Sequence, residues 1–196
     1  EGDREFEPVT KWQREVMSWG DGLAMHTPQR PTQVPPTDAL DVLFEIMGPN
    51  TIVTTDVGQH QMWSAQRCRA CDPRKWITSG GAGTMGFGLP SAVGAQFACP
   101  HDRVVAICGD GGFQMTMAEL ATVRRCNLPI KIFILDNKFL GMVRQWQQMF
   151  FSKRYSAVDL SDNPDFAALA QVYKIPSFTL SDPAHIRPDR VRATDR

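Results

Sequence analysis

Two oxygen-bearing side chains, Asp110 and Asn137, stand at the ends of two strongly apolar runs, twenty-seven positions apart. A carboxylate and a carboxamide offer hard oxygen ligands, the kind that suit magnesium still partly coordinated by phosphate. Asp110 lies inside Gly109-Asp110-Gly111-Gly112, a glycine turn whose backbone N–H groups can approach a phosphate closely. Either piece alone reads equally well as a tight turn or a helix cap. Together, at the ends of two strands separated by one helix, they point to a magnesium-diphosphate site.

The elements that must position these residues are legible around them. Val104 to Cys108 is a continuous apolar segment of strand length, expected of a parallel strand buried on both faces. Phe113 to Cys126 carries Met117, Leu120, Ala121 and Val123 at helical spacing, and Ile130 to Leu135 reads as a second buried strand. Earlier, Ile52 to Thr55 is a β-branched strand delivering Asp56-Val57-Gly58-Gln59-His60 to its carboxyl end, and Trp76-Ile77-Thr78 leads into a loop with four glycines between Gly80 and Gly86. Helices are expected from a Thr37-Asp38 cap to Gly48-Pro49, over 89–97, over 141–151 and after Asp162-Asn163-Pro164-Asp165, with Pro176 to Leu180 as a further strand. The fold class is therefore α/β, a mostly parallel sheet with helices on both faces. In such sheets ligands bind outside the carboxyl ends of the strands.

Composition narrows the function classes. A chain of 196 residues suits one domain with a proper core. Zero formal net charge argues against a nucleic-acid surface, and no apolar run approaches a membrane span. The charged start, Glu1-Gly2-Asp3-Arg4-Glu5, has no signal-peptide core. Cys68 and Cys71 form a single CxxC, weak evidence for zinc and more simply two loop thiols. Trp12, Val16 and Trp19 suit one face of a short helix, and Pro28, Pro31, Pro35 and Pro36 mark a linker. The organisation expected is 1–36 as the tail of a preceding domain plus linker, 37–180 as the cofactor domain, and 181–196 as an irregular tail.

The Gly109-Asp110-Gly111 triplet followed by Asn137 resembles the diphosphate-binding signature of thiamine diphosphate (TPP) enzymes. Three longer strings, Gly58-Gln59-His60-Gln61-Met62-Trp63, Thr78-Ser79-Gly80-Gly81-Ala82-Gly83-Thr84-Met85-Gly86 and Gly141-Met142-Val143-Arg144-Gln145-Trp146-Gln147, resemble the catalytic large subunits of acetolactate (acetohydroxyacid) synthases. The likeness runs from about Pro35 to Pro176. It implies that Val57, Gly58, Gln59 and His60, with Gly109, Asp110, Gly111 and Gly112, hold the diphosphate. Asp110, Asn137 and the Phe139 carbonyl are implied as magnesium ligands. The Gly83 carbonyl and the Met85 side chain would hold the aminopyrimidine and the bend between the rings. Leu140, Gly141, Met142 and Val143 complete the cofactor set, while Met142, Val143 and Trp146 shape the pocket for the second 2-oxoacid.

The same resemblance implies decarboxylation of pyruvate and its condensation with pyruvate or 2-oxobutanoate, in valine, leucine and isoleucine biosynthesis. Other TPP-dependent decarboxylases, carboligases and oxidases are the nearest enzyme alternatives, and a non-catalytic cofactor-binding fragment is the alternative of another class. Gln145-Trp146-Gln147 favours the synthase. Asp136 departs from the family's more usual asparagine, and after Leu180 the expected strand and helix are not legible, as in a truncated or altered chain. No catalytic residue is expected among these residues, because the activating glutamate belongs to an amino-terminal domain. FAD is implied for the full-length enzyme, bound outside this chain. The implied partners are 2-oxoacids, a second copy of the chain in a homodimer or higher oligomer built through the TPP site, and a small regulatory subunit as a further candidate. A cytoplasmic location in a bacterium, or a plastid or mitochondrion in a eukaryote, is expected.

Overall fold

The computed structural model describes residues 10–20, 33–48, 50–68, 72–186 and 188. Cys71 and the last residues of the tail lie outside them. Helix α1 (Thr10–Gly20) carries Trp12 and Trp19 edge to face, ring centroids 5.5 Å apart, as the spacing predicts. Helix α2 (Pro36–Met47) starts one residue before the predicted cap. Thr37 and Asp38 lie within its first turn and Pro36 takes the first helical position, where a missing N–H costs nothing.

There follow β1 (Ile52–Thr55), α3 (Gln59–Arg67), β2 (Trp76–Thr78), α4 (Gly88–Ala98), β3 (Val104–Gly109), α5 (Asp110–Thr116), α6 (Leu120–Arg125), β4 (Lys131–Leu135), α7 (Gly141–Phe150) and α8 (Phe166–Val172). The strands form one parallel sheet in the order β2-β1-β3-β4. β3 is buried along its whole length, and its residues alternate between two cores as a period of two requires. Val104, Ala106 and Cys108 pack with Leu89, Ala92, Phe113, Leu120 and Val123 from α4, α5 and α6. Val105 and Ile107 pack with Leu40, Leu43 and Met47 of α2. Helices thus cover both faces, as predicted.

Two expectations need correction. The helix read over 113–126 begins at Asp110 and is broken by a single 3-10 turn, Met117–Glu119, so the two glycines after Asp110 belong to its first turn and not to a turn before it. An acidic residue in that turn complements the helix dipole. No strand forms over Pro176 to Leu180. Pro176 offers no N–H to a ladder, and the flanking residues are bonded elsewhere: Ile175 N–H donates to the Ala170 carbonyl at 3.0 Å and Ser177 Oγ to the Ala167 carbonyl at 2.7 Å. Among the described residues β4 therefore pairs only with β3 and is the sheet edge.

The order of the strands places the site. From β1 the chain steps outward to β2, then returns past β1 to lay down β3 and β4 on the other side. The reversal leaves a crevice between the carboxyl ends of β1 and β3, which is where an open α/β sheet binds its ligand.

Candidate functional site

Two aspartates follow the strands that flank this crevice. Asp56, directly after β1, is completely buried, and its carboxylate accepts three backbone N–H groups: Val57 at 2.8 Å, Gly86 at 3.0 Å and Gly88 at 2.9 Å. It fastens the end of β1 to the glycine loop and to the start of α4. A side chain at Gly112 would collide with this carboxylate, so the residue facing it must be glycine. Asp56 therefore sets the position of Met85, whose methyl, with Leu140 and Leu160, converges on Gly111. Gly83 lies exposed in the same loop with a φ of 65°.

Asp110, directly after β3, is also buried but differently partnered. Its Oδ1 accepts the Gly111 N–H at 3.0 Å, and its Oδ2 accepts Asn163 Nδ2 at 2.9 Å. The β3–β4 register runs from Val105 opposite Lys131 to Gly109 opposite Leu135. Continued by one residue, it sets Asp110 opposite Asp136, making Asp136 the nearer neighbour and Asn137 the next. Burial, and then the hydrogen bond and charge of Asp136, push the Asp110 carboxyl up to about 6, against the opposing pull of the Gly111 N–H and Asn163. Asn137 Oδ1 accepts the Phe139 N–H at 2.9 Å in an Asx turn, closing the loop that precedes α7.

His60 lies between the two strand ends. Its ring packs so closely under Gly109 that a Cβ there would stand 2.8 Å from it. Burial drives its pKa down to about 4, only partly offset by the charge of Asp56 and a bond to the Asp56 backbone. The ring is neutral near pH 7, and its Nε2 is buried with no partner among the described residues. Gln59 projects toward α7, its Nε2 donating to Gln145 Oε1 at 2.9 Å beside Asn137 and Gly141.

Val57, His60, Met85, Asp110, Asn137 and Gly141 line one open cleft, which also runs along β4 as far as Pro129 and Lys131. Gly58, Gln59, Gly109, Gly111, Gly112, Phe139 and Leu140 line it as well. Gly83, Met142, Val143 and Trp146 do not. Val143 and Trp146 are 47% and 57% exposed, and Trp146 rests edge to face on Phe150 at 5.9 Å on the outer side of α7.

The donor set fits magnesium diphosphate. Among the described residues no group of three or more His, Cys, Asp or Glu side chains is placed to cage a metal. One carboxylate with one carboxamide is instead a set that leaves further positions on magnesium to phosphate oxygens. The orphaned His60 Nε2 is a buried polar atom that none of the described residues partners, in a residue that lines the cleft.

Sequence reasoning missed four contributors. Asp136 read as a minor departure, Asn163 as the start of a helix, and Gln114 and Asp56 were assigned nothing. Asp165 alone caps α8, accepting the Ala167 and Ala168 N–H groups at 2.9 and 3.0 Å, which leaves Asn163 for the site. Three Asx residues, Asp162, Asn163 and Asp165, before one helix that needs a single cap were the available signal. Cys68 also differs from its reading as a loop thiol, because it is disulfide-bonded, whereas Cys99, Cys108 and Cys126 are free.

Comparison with known proteins agrees with this geometry. Residues 56–196 match the family described as thiamine pyrophosphate enzyme, C-terminal TPP binding domain. The chain is 62% identical over 124 residues to the acetolactate synthase isozyme 2 large subunit of Escherichia coli (strain K12), covering 63% of this chain and 23% of that protein. It is 44% identical over 177 residues to the acetolactate synthase large subunit of Pyropia yezoensis, covering 90% and 30%. To the probable acetolactate synthase large subunit of Methanocaldococcus jannaschii it is 47% identical over 152 residues, covering 76% and 26%. The chain thus spans about a quarter of the length of the curated relatives it matches. It belongs to the thiamine pyrophosphate enzymes, as their C-terminal TPP binding domain.

Proposed function

We propose that this chain is the cofactor-binding part of an acetolactate synthase large subunit, joining pyruvate to a second 2-oxoacid on the route to valine, leucine and isoleucine. The observation that carries the reading is the delivery of Asp110 and the Asn137 loop by adjacent parallel strands to the crevice where the strand order reverses. Asp110, Asn137 and the Phe139 carbonyl would hold magnesium. Val57 to His60 and Gly109 to Gly112 would hold the diphosphate. Gly83 and Met85 would seat the rings, together with Leu140 to Val143. When bound, TPP supplies the carbanion-stabilising chemistry, and the protein supplies position and environment.

No residue of this chain is assigned a proton-transfer role. The activating carboxylic acid, the FAD site and part of the 2-oxoacid pocket are assigned to other segments of a longer protein, in which 37–180 is the cofactor domain between a linker at 1–36 and a tail at 181–196. Trp146, outside the cleft in this chain, would meet substrate only where another segment or subunit covers α7. A homo-oligomer built through the TPP site and a small regulatory subunit are the partners this reading takes, in bacterial cytoplasm or a eukaryotic organelle. Among the described residues no helix is long and apolar enough to cross a membrane.

The test is product formation by the full-length protein from pyruvate with TPP and magnesium. Acetolactate, detected as acetoin after acid decarboxylation, is the expected product. Binding of TPP with a different product, such as acetaldehyde or acetate, would overturn the synthase assignment and leave the domain assignment standing.

A further inference from the structure

One carboxamide joins the Asp110 and Asp136 side chains. Asn163 Nδ2 donates to Asp110 Oδ2 at 2.9 Å and to Asp136 Oδ1 at 3.2 Å, while its Oδ1 accepts Gln114 Nε2 at 2.7 Å. The Gln114 bond fixes which way the amide points. With Oδ1 facing a donor, Nδ2 is turned to the carboxylates. Gln114 lies one helical turn beyond Asp110 on α5, so the clamp and the aspartate it serves move as one body.

The segment carrying Asn163 is pinned to the metal loop by its backbone. Leu140 N–H donates to the Val158 carbonyl and Leu160 N–H to the Lys138 carbonyl, each at 2.9 Å, so that Phe139 faces Asp159 in an antiparallel bridge. Gln147 of α7 exchanges two bonds with the Ser156 backbone, at 3.0 and 3.2 Å. The bridge engages the amide of Leu140 and the carbonyl of Lys138 and does not use the Phe139 carbonyl.

We propose that Asn163 is a positioning residue for the metal end of the cofactor site, acting through the orientation of Asp110 and held in place by Gln114. The proposal rests on the magnesium-TPP reading. Asn163 presents a donor and so does not ligate a cation. Its action is to fix one carboxylate oxygen of Asp110 while Gly111 N–H fixes the other, which leaves lone pairs on both oxygens for the metal and removes the freedom of the carboxylate to turn. The same amide lets Asp136 stand beside Asp110 without the two carboxylates facing each other bare. Partners of metal-binding side chains have this kind of influence on affinity.

The experiment uses the full-length protein with Mn2+ as the probe, its free fraction read by electron paramagnetic resonance in the presence of TPP. Asn163→Ala is expected to raise the Mn2+ dissociation constant about tenfold, with TPP affinity at saturating Mn2+ within about twofold of the parent. Gln114→Ala, which leaves Asn163 present but unclamped, should give a smaller rise, and the double variant should be no weaker than Asn163→Ala. Mn2+ affinity within about twofold of the parent in Asn163→Ala overturns the proposal, as does an equal loss of TPP affinity at saturating metal, which would mark a structural role. Should Asn163→Ala fail to fold, Gln114→Ala decides alone, and unchanged Mn2+ affinity there overturns the proposal. Absence of Mn2+ binding by the parent would overturn the metal reading together with this proposal.

Discussion

Asp56 and Asp110 follow neighbouring strands at the same edge of one sheet, and at 0% and 3% exposure burial does not tell them apart. Their partners do. Asp56 faces three backbone N–H groups, so both its oxygens are occupied. Asp110 has one backbone donor, one side-chain donor and the Asp136 carboxylate beside it. The first arrangement is complete as it stands, while the second gains from an added cation. A carboxylate at a strand end becomes structural or functional according to who supplies its hydrogen bonds.

The largest expected effect breaks the structural member of this pair. Asp56→Ala orphans two buried N–H groups, those of Gly86 and Gly88, and the half-buried one of Val57; at about 1–3 kcal/mol for each buried donor, a loss of about 2–6 kcal/mol in urea unfolding is expected. A loss below about 1 kcal/mol would mean that the glycine loop is held by other contacts.

Acid titration of stability sharpens the contrast across the crevice. The His60 pKa is lowered from 6.5 to about 4, so its contribution is present above pH 6.5 and lost as pH falls toward 4. The span corresponds to roughly 3 kcal/mol. Without bound metal, Asp110 acts oppositely: its pKa, raised from 3.8 to about 6, gives a contribution complete below 3.8 and lost as pH rises through 6. His60→Gln should therefore flatten the acid loss of stability, and Asp110→Asn should steepen it by a smaller amount. Urea midpoints measured every half unit between about pH 4 and pH 7 would show it. Parallel curves for both variants and the parent would remove these two groups from the account.

The smallest effect on the fold is expected at the exposed end. Trp146→Leu should change stability by no more than about 0.5 kcal/mol, as for other surface positions, since its ring touches Phe150 on the outside of α7. In the full-length enzyme the same variant should reduce preference for 2-oxobutanoate over pyruvate, one extra methylene being worth about 1–3 kcal/mol. Product ratios from mixed substrates measure it, and an unchanged ratio would make Trp146 a packing residue only.

What could be read in the sequence follows from the range of the interactions. β3 announces itself because each of Val104 to Cys108 is apolar and buried, and Asp110 and Asn137 were legible because each ends such a run. Asp56 was not, since its partners are the amides of Gly86 and Gly88, about thirty residues away, and backbone amides leave no mark on residue type. Asp136 was undervalued because its place beside Asp110 is set by strand register, which spacing along the chain does not reveal. Asn163 was hidden behind the helix it precedes. The strand expected over Pro176 to Leu180 failed where side-chain and backbone bonds to α8 outweighed an apolar alternation.

The central claim, that Asp110 belongs to a metal-cofactor site and Asp56 to the framework, is tested most directly by calorimetric titration of TPP into full-length protein carrying Asp110→Ala, with and without magnesium. The account predicts that the parent binds TPP in a magnesium-dependent way, and that Asp110→Ala weakens this binding at least about a hundredfold while its urea midpoint stays at or above that of the parent. Parent-like affinity in the variant with magnesium present, or a fall in stability matching that of Asp56→Ala, would contradict it.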